Sequence, residues 1–91
     1  MSCFVLAFEI GSVVRSLAGR DKGRFLVIVR VESDGKNVYV CDGKERPISR
    51  PKPKNPMHLA VTKTVLPEEA LLSNRSIKAG LHRFNYPKEH Q

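Results

Sequence analysis

The stretch from Gly11 to Val40, GSVVRSLAGRDKGRFLVIVRVESDGKNVYV, decides the fold. Val13 and Val14 are β-branched, and the run Gly11 to Leu17 stops at the punctuation of Gly19 and Gly23, so it reads as a first strand. Arg24 to Ser33 is continuously apolar from Phe25 to Val29 and alternates afterwards, as expected of a long central strand buried on both faces at first and on one face later. Asp34-Gly35 can supply the two positive φ angles of a type I′ turn and so joins this strand to Lys36 to Cys41 as a hairpin. Asp42-Gly43 repeats the device, which predicts a short antiparallel strand over Glu45 to Ile48. Gly19, Gly23, Gly35 and Gly43 are therefore the expected structural turns.

Working outward, residues 1–10 are apolar apart from Ser2 and Glu9 and suit a leading strand or a capping turn of helix. Prolines 47, 51, 53 and 56 interleave with Arg50, Lys52 and Lys54. Proline removes a backbone donor and fixes φ, so this segment cannot be an interior strand and is expected to run as an extended surface arm. His58 to Thr62 alternates as a closing strand. After Pro67, Glu68 to Leu72 suits a helical turn with its acids at the positive end of the dipole. Asn74 can cap a second helix whose Ile77, Leu81 and Phe84 share one face. Closely spaced short strands with turn signals point to an all-β fold, a small barrel of about five strands. Residues 1–66 would form the barrel, and residues 67–91 a short C-terminal helical extension of the same domain.

The strand Val13-Val14, the loop Ala18-Gly19-Arg20-Asp21-Lys22-Gly23 and the apolar strand Phe25 to Val31 resemble a KOW motif, the β-module of ribosomal proteins and transcription elongation factors. Gly23 stands where that family keeps its glycine. The continuation DGKERPISRPKPKNPMHL, residues 42–59, is similar to the large-subunit ribosomal proteins of the L-fourteen-e type. The resemblance covers Gly11 to Leu59 and only loosely the tail. It implies an SH3-like barrel that binds RNA, with ribosomal RNA or the ribosome as partner. Those relatives carry longer basic extensions, whereas this tail opens on Glu68-Glu69.

The composition agrees with a polyanionic partner. The 91 residues hold 16 Lys and Arg against nine Asp and Glu, a net charge of +7. A chain of this length buries only about 60 to 65% of its unfolded surface, which allows one compact core. Cys3 and Cys41 are far apart and form no C-x-x-C, so neither a disulfide framework nor a metal site is expected. The apolar run Cys3 to Phe8 is too short for a signal sequence or a membrane span, which points to the cytoplasm.

Two segments carry the candidate contacts. In the first, Arg20, Lys22 and Arg24 surround a glycine-bounded loop whose backbone could approach phosphates closely, the alternative being a solvated turn. In the second, Lys44, Arg46, Arg50, Lys52 and Lys54 stand against Glu45 alone, on an arm whose prolines reduce the entropy lost on binding. Arg75, Lys78, Arg83 and Lys88 lie in an acid-free stretch that could add a second basic strip on the second helix, the alternative being the solvated face of an amphipathic helix, which is the reading taken.

No catalytic constellation is visible. His58, His82 and His90 make no H-x-x-x-H or H-E-x-x-H pattern, adjacent Glu68-Glu69 do not face each other, and Gly19-x-x-x-Gly23 lacks the Gly-Lys-Ser/Thr of a P-loop. No cofactor is expected. The six aromatics fall mostly at core positions, which weakens any reading based on stacked single-stranded bases. What remains is a non-enzymatic, monomeric reader of structured RNA through its phosphates. The alternative is an SH3-like protein-interaction module docking on a transcription or translation factor.

Overall fold

The computed structural model describes residues 8–33 and 36–86. Five strands, β1 (Ser12–Ser16), β2 (Phe25–Val31), β3 (Val38–Cys41), β4 (Lys52–Lys54) and β5 (Leu59–Val65), form one antiparallel sheet in the order β4-β3-β2-β1-β5. A 3₁₀ turn, Pro56–His58, joins the two outermost strands, and a second, Glu68–Leu71, leads to the helix α1 (Asn74–Asn85). The Asp34-Gly35 turn and the leading segment before Phe8 lie outside the described residues, as do Cys3, Lys88 and His90. No described helix is long and apolar enough to cross a membrane.

The central strand is buried on both faces, as its continuous apolar run predicts. Leu26 and Ile28 join Val14, Val38, Val40 and Leu59 on one face of the sheet, with Phe8 packed against them. Val27 joins Val13, Cys41, Ile77 and Leu81 on the other, so α1 covers that face through the residues expected from its spacing. Phe84 adds to this contact, its ring centroid 5.3 Å from that of Phe25. The helix is capped by Ser73 rather than by the expected Asn74, because Ser73 and Ser76 form a reciprocal capping box.

Two expectations need correction. No strand forms over Glu45 to Ile48, and the fourth strand is Lys52–Lys54, inside the proline-rich arm. Pro53 stands opposite Tyr39, between the pairs Val38↔Lys54 and Val40↔Lys52. In an edge strand alternate residues face away from the ladder, so a proline between two pairing lysines costs no hydrogen bond. Asp42-Gly43 is also not a type I′ turn. Gly43 has φ +81, but no described non-glycine residue has positive φ, so Asp42 directs the loop through its side chain instead.

The sheet curls strongly. Lys54 lies in β4, separated from β1 by two intervening strands in the pairing order, yet its Nζ is 2.9 Å from the Ser16 Oγ. A flat sheet would set strands so separated roughly 14 Å apart. Register shifts between Ile28 and Arg30 in β2 and between Ser12 and Val14 in β1 mark the irregularities that accompany such bending.

Gly23 has φ +88 and no atom within 4 Å of where a Cβ would stand, so the requirement for glycine there is conformational rather than steric. Gly23→Val should destabilise by roughly 1–2 kcal/mol and Gly23→Asn by less, since asparagine tolerates the left-handed region better than a β-branched residue. Denaturant midpoints of the two variants measure this, and equal midpoints for Val and Gly would refute it.

Candidate nucleic-acid interface

The loop between β1 and β2 is closed by backbone hydrogen bonds: the Gly23 amide donates to the Ser16 carbonyl at 2.8 Å and the Arg24 amide to the Asp21 carbonyl at 2.8 Å. Arg20 and Lys22 project into solvent. Asp21, expected at an exposed tip between them, is only 4% exposed. Its carboxylate turns inward to accept a hydrogen bond from Arg46 Nε at 3.3 Å and to meet Lys52 Nζ at 3.9 Å.

A second acid organises the loop between β3 and β4. Asp42, 4% exposed, accepts hydrogen bonds at Oδ1 from the backbone amides of Lys44 and Arg46, each at 2.8 Å. Its Oδ2 lies 3.5 Å from Arg24 Nη2, an ion pair without hydrogen-bond geometry. Asp42 also helps to hold the neighbouring thiol protonated: burial, and then the Asp42 charge, push Cys41 up to about 11.

The eight cations singled out in the sequence therefore divide by role. Arg24, Arg46 and Lys52 are partly exposed and ion-paired to the two buried aspartates. Arg20, Lys22, Lys44 and Arg50 are exposed and make no ion pair among the described residues. Lys54 departs from its expected role as a surface contact: it is 8% exposed, and its ammonium donates to Ser16 Oγ and to the Ala18 carbonyl, each at 2.9 Å. Burial lowers its pKa, opposed by the attraction of Asp21. Asp21, with Arg46 and Lys52 on one carboxylate, brings the two basic segments together across the sheet end.

The helix strip joins the same surface, which sequence reasoning assigned to solvent. Arg75, Lys78, Ala79 and His82 line an open groove of about 660 Å³ together with Gly43. A Cβ at Gly43 would collide with the Asn74 carbonyl and approach the Lys78 amide to 3.0 Å, so glycine allows the loop to lie against the first turn of α1. Asn74 completes the junction by accepting the Ile48 amide at Oδ1, 2.6 Å away. The readable signal was the acid-free stretch from Arg75 onward; its position beside Asp42-Gly43 depends on tertiary packing.

Asp42→Ala should cost roughly 2–3 kcal/mol, because two backbone amides and one arginine lose a charged partner. Asp42→Asn, which keeps an acceptor at Oδ1, should cost no more than about half of that. Equal denaturation midpoints for the two variants would show that the hydrogen bonds do not hold the loop. Lys54→Ala should destabilise by roughly 1–3 kcal/mol through two lost charge-assisted hydrogen bonds, whereas Arg50→Ala should stay within about 0.5 kcal/mol of the parent. The folded pKa of Lys54 lies below the 10.5 of a free lysine, so the unfolded chain holds the extra proton between the two values, and the Lys54 contribution to stability rises with pH across that interval. Urea melts of parent and Lys54→Ala between neutral pH and pH 10.5 test both statements.

No protein-family model matches this chain, and no curated protein is significantly similar to it.

Proposed function

We propose that this protein is a non-enzymatic RNA-binding module of the KOW, SH3-like kind, which grips the phosphate backbone of structured RNA in the cytoplasm as a monomer. The resemblance over Gly11 to Leu59 makes ribosomal RNA, or another RNA of translation, its target. One observation carries the reading: two buried aspartates gather the cations of two distant loops onto one end of a curled sheet. The strand order, the 3₁₀ link between the outermost strands and the contact from Lys54 to Ser16 support closure of the sheet into a barrel.

In this mechanism the exposed Arg20, Lys22, Lys44 and Arg50 neutralise phosphates, while Arg24, Arg46 and Lys52 are held in place by carboxylates that occupy part of their donor capacity. Loops fixed before binding lose less entropy on binding. Phosphate contacts position a protein on RNA without reading its bases, so affinity follows the shape of the RNA more than its sequence.

A protein-interaction module is the second reading. It draws on β5, the last strand in the pairing order, where Val61 and Val65 are exposed and Met57 precedes it, also exposed.

Binding to a structured RNA hairpin should fall steeply with salt. About five phosphate contacts give a slope of log K against log salt of roughly −3.5 to −4.5. Changing Arg20, Lys22, Lys44 and Arg50 together to Gln should flatten that slope by roughly 3 units and leave the denaturation midpoint within about 2 kcal/mol of the parent. A slope near zero in the parent, with protein partners captured equally before and after RNase treatment, would replace the RNA reading with the interaction module.

A further inference from the structure

Helix α1 carries one continuous exposed stripe that the phosphate mechanism does not use in full. At 100° per residue, Arg75, Lys78, Ala79, His82 and Tyr86 fall within a single arc, opposite the buried Ile77 and Leu81. The chain holds no acid from Ala70 to Lys88, so the stripe carries no negative charge, and apart from Ala79 its side chains are basic or aromatic. At one end it forms the groove with Gly43. At the other, Tyr86 lines a cavity of about 280 Å³ with Gly23, Arg24 and Asn85. The stripe therefore spans the distance between the two basic loops.

Its aromatic end is unlike the other Phe and Tyr rings among the described residues, of which Phe8 packs against the opposite core. Phe25 and Phe84 are packed against the helix-covered core, and Tyr39 is half-buried, with its hydroxyl donating to Glu32 at 2.9 Å and Arg30 over its ring. Tyr86 is 48% exposed, and its ring centroid lies 4.9 Å from that of the exposed His82, at a tilt of 32°. The Tyr86 amide donates to the His82 carbonyl at 2.8 Å, which fixes the two rings one helical turn apart. A solvent-facing ring pair flanked by Lys78 on one side and Arg24 on the other offers a π-surface beside cations. That combination holds an unpaired nucleobase and its phosphates. The adjoining cavity is close to the lower limit of ligand-sized sites, about 300 Å³.

Building on the RNA-binding reading, we infer that α1 holds the single-stranded continuation of a structured RNA, with Arg75 and Lys78 on its phosphates and one base stacked on Tyr86 and His82. The site accepts any base, since every base has a π-face.

Two hairpin RNAs with the same stem, one blunt and one carrying a short single-stranded extension, test this in equilibrium binding. The parent protein should bind the extended hairpin roughly 5- to 100-fold more tightly. Tyr86→Ala and Tyr86→Leu should both lose that preference while binding the blunt hairpin as the parent does, and Tyr86→Phe should keep it. Equal binding of the two hairpins by the parent, or equal weakening toward both in Tyr86→Ala, would overturn the stacking site and leave the phosphate-binding reading standing. No binding to either hairpin at low salt would overturn both.

Discussion

A carboxylate taken out of water must be met by donors or cations, and Asp42 is met by two backbone amides and a guanidinium. That requirement shapes the basic end of the molecule. It winds residues 42–46 around one side chain, sets Gly43 against the first turn of α1 and draws Arg24 across from the neighbouring loop. Asp21 makes the reciprocal tie, from the β1–β2 loop to Arg46 and Lys52. In a chain with a net charge of +7, two of its few acids are placed where like-charge repulsion between the loops would otherwise push them apart.

The tie changes how the charge count translates into binding. Eight cations in the two segments suggest eight phosphate contacts, but three share a carboxylate already and Lys54 spends its hydrogen bonds inside the fold. Four remain with their full charge turned to solvent. Cations are thus not equivalent tokens along this sequence: lysine serves as a strut at position 54 and as an exposed cation at position 44.

What could be read in advance follows from which interactions are local. The apolar run Phe25 to Val29 specifies a strand covered on both faces, and Ile77, Leu81 and Phe84 specify the helix face that covers one of them; both patterns are periodicities within a single element. Gly23 is legible because a positive φ is a property of one residue. The fourth strand was not legible, because a proline-rich segment looks excluded from a sheet until its register places Pro53 between two pairing lysines on an edge. Nor were the aspartates, whose burial depends on partners far away in the sequence, Arg46 and Lys52 for Asp21 and Arg24 for Asp42. An Asp beside Gly, or between Arg and Lys, has the local signature of an exposed turn, and only long-range ion pairs draw it inward.

The helix owes its place on the surface to two asparagines at its ends. At the start, Asn74 Oδ1 accepts the Ile48 amide, which registers α1 against the β3–β4 loop. At the finish, Asn85 accepts the Phe25 amide at 2.9 Å and donates to the Phe25 carbonyl at 3.3 Å, pairing with the first residue of β2 much as a neighbouring strand would. Apolar packing through Ile77 and Leu81 fixes which face of the helix is down, but hydrophobic contact is non-directional and would tolerate sliding along the sheet. The two amide side chains supply the missing coordinate. One is tied next to Asp42-Gly43 and the other next to Gly23-Arg24, so the helix, the two glycine turns and the buried aspartates form a single mechanical unit, and the exposed cations are held at fixed separations from one another.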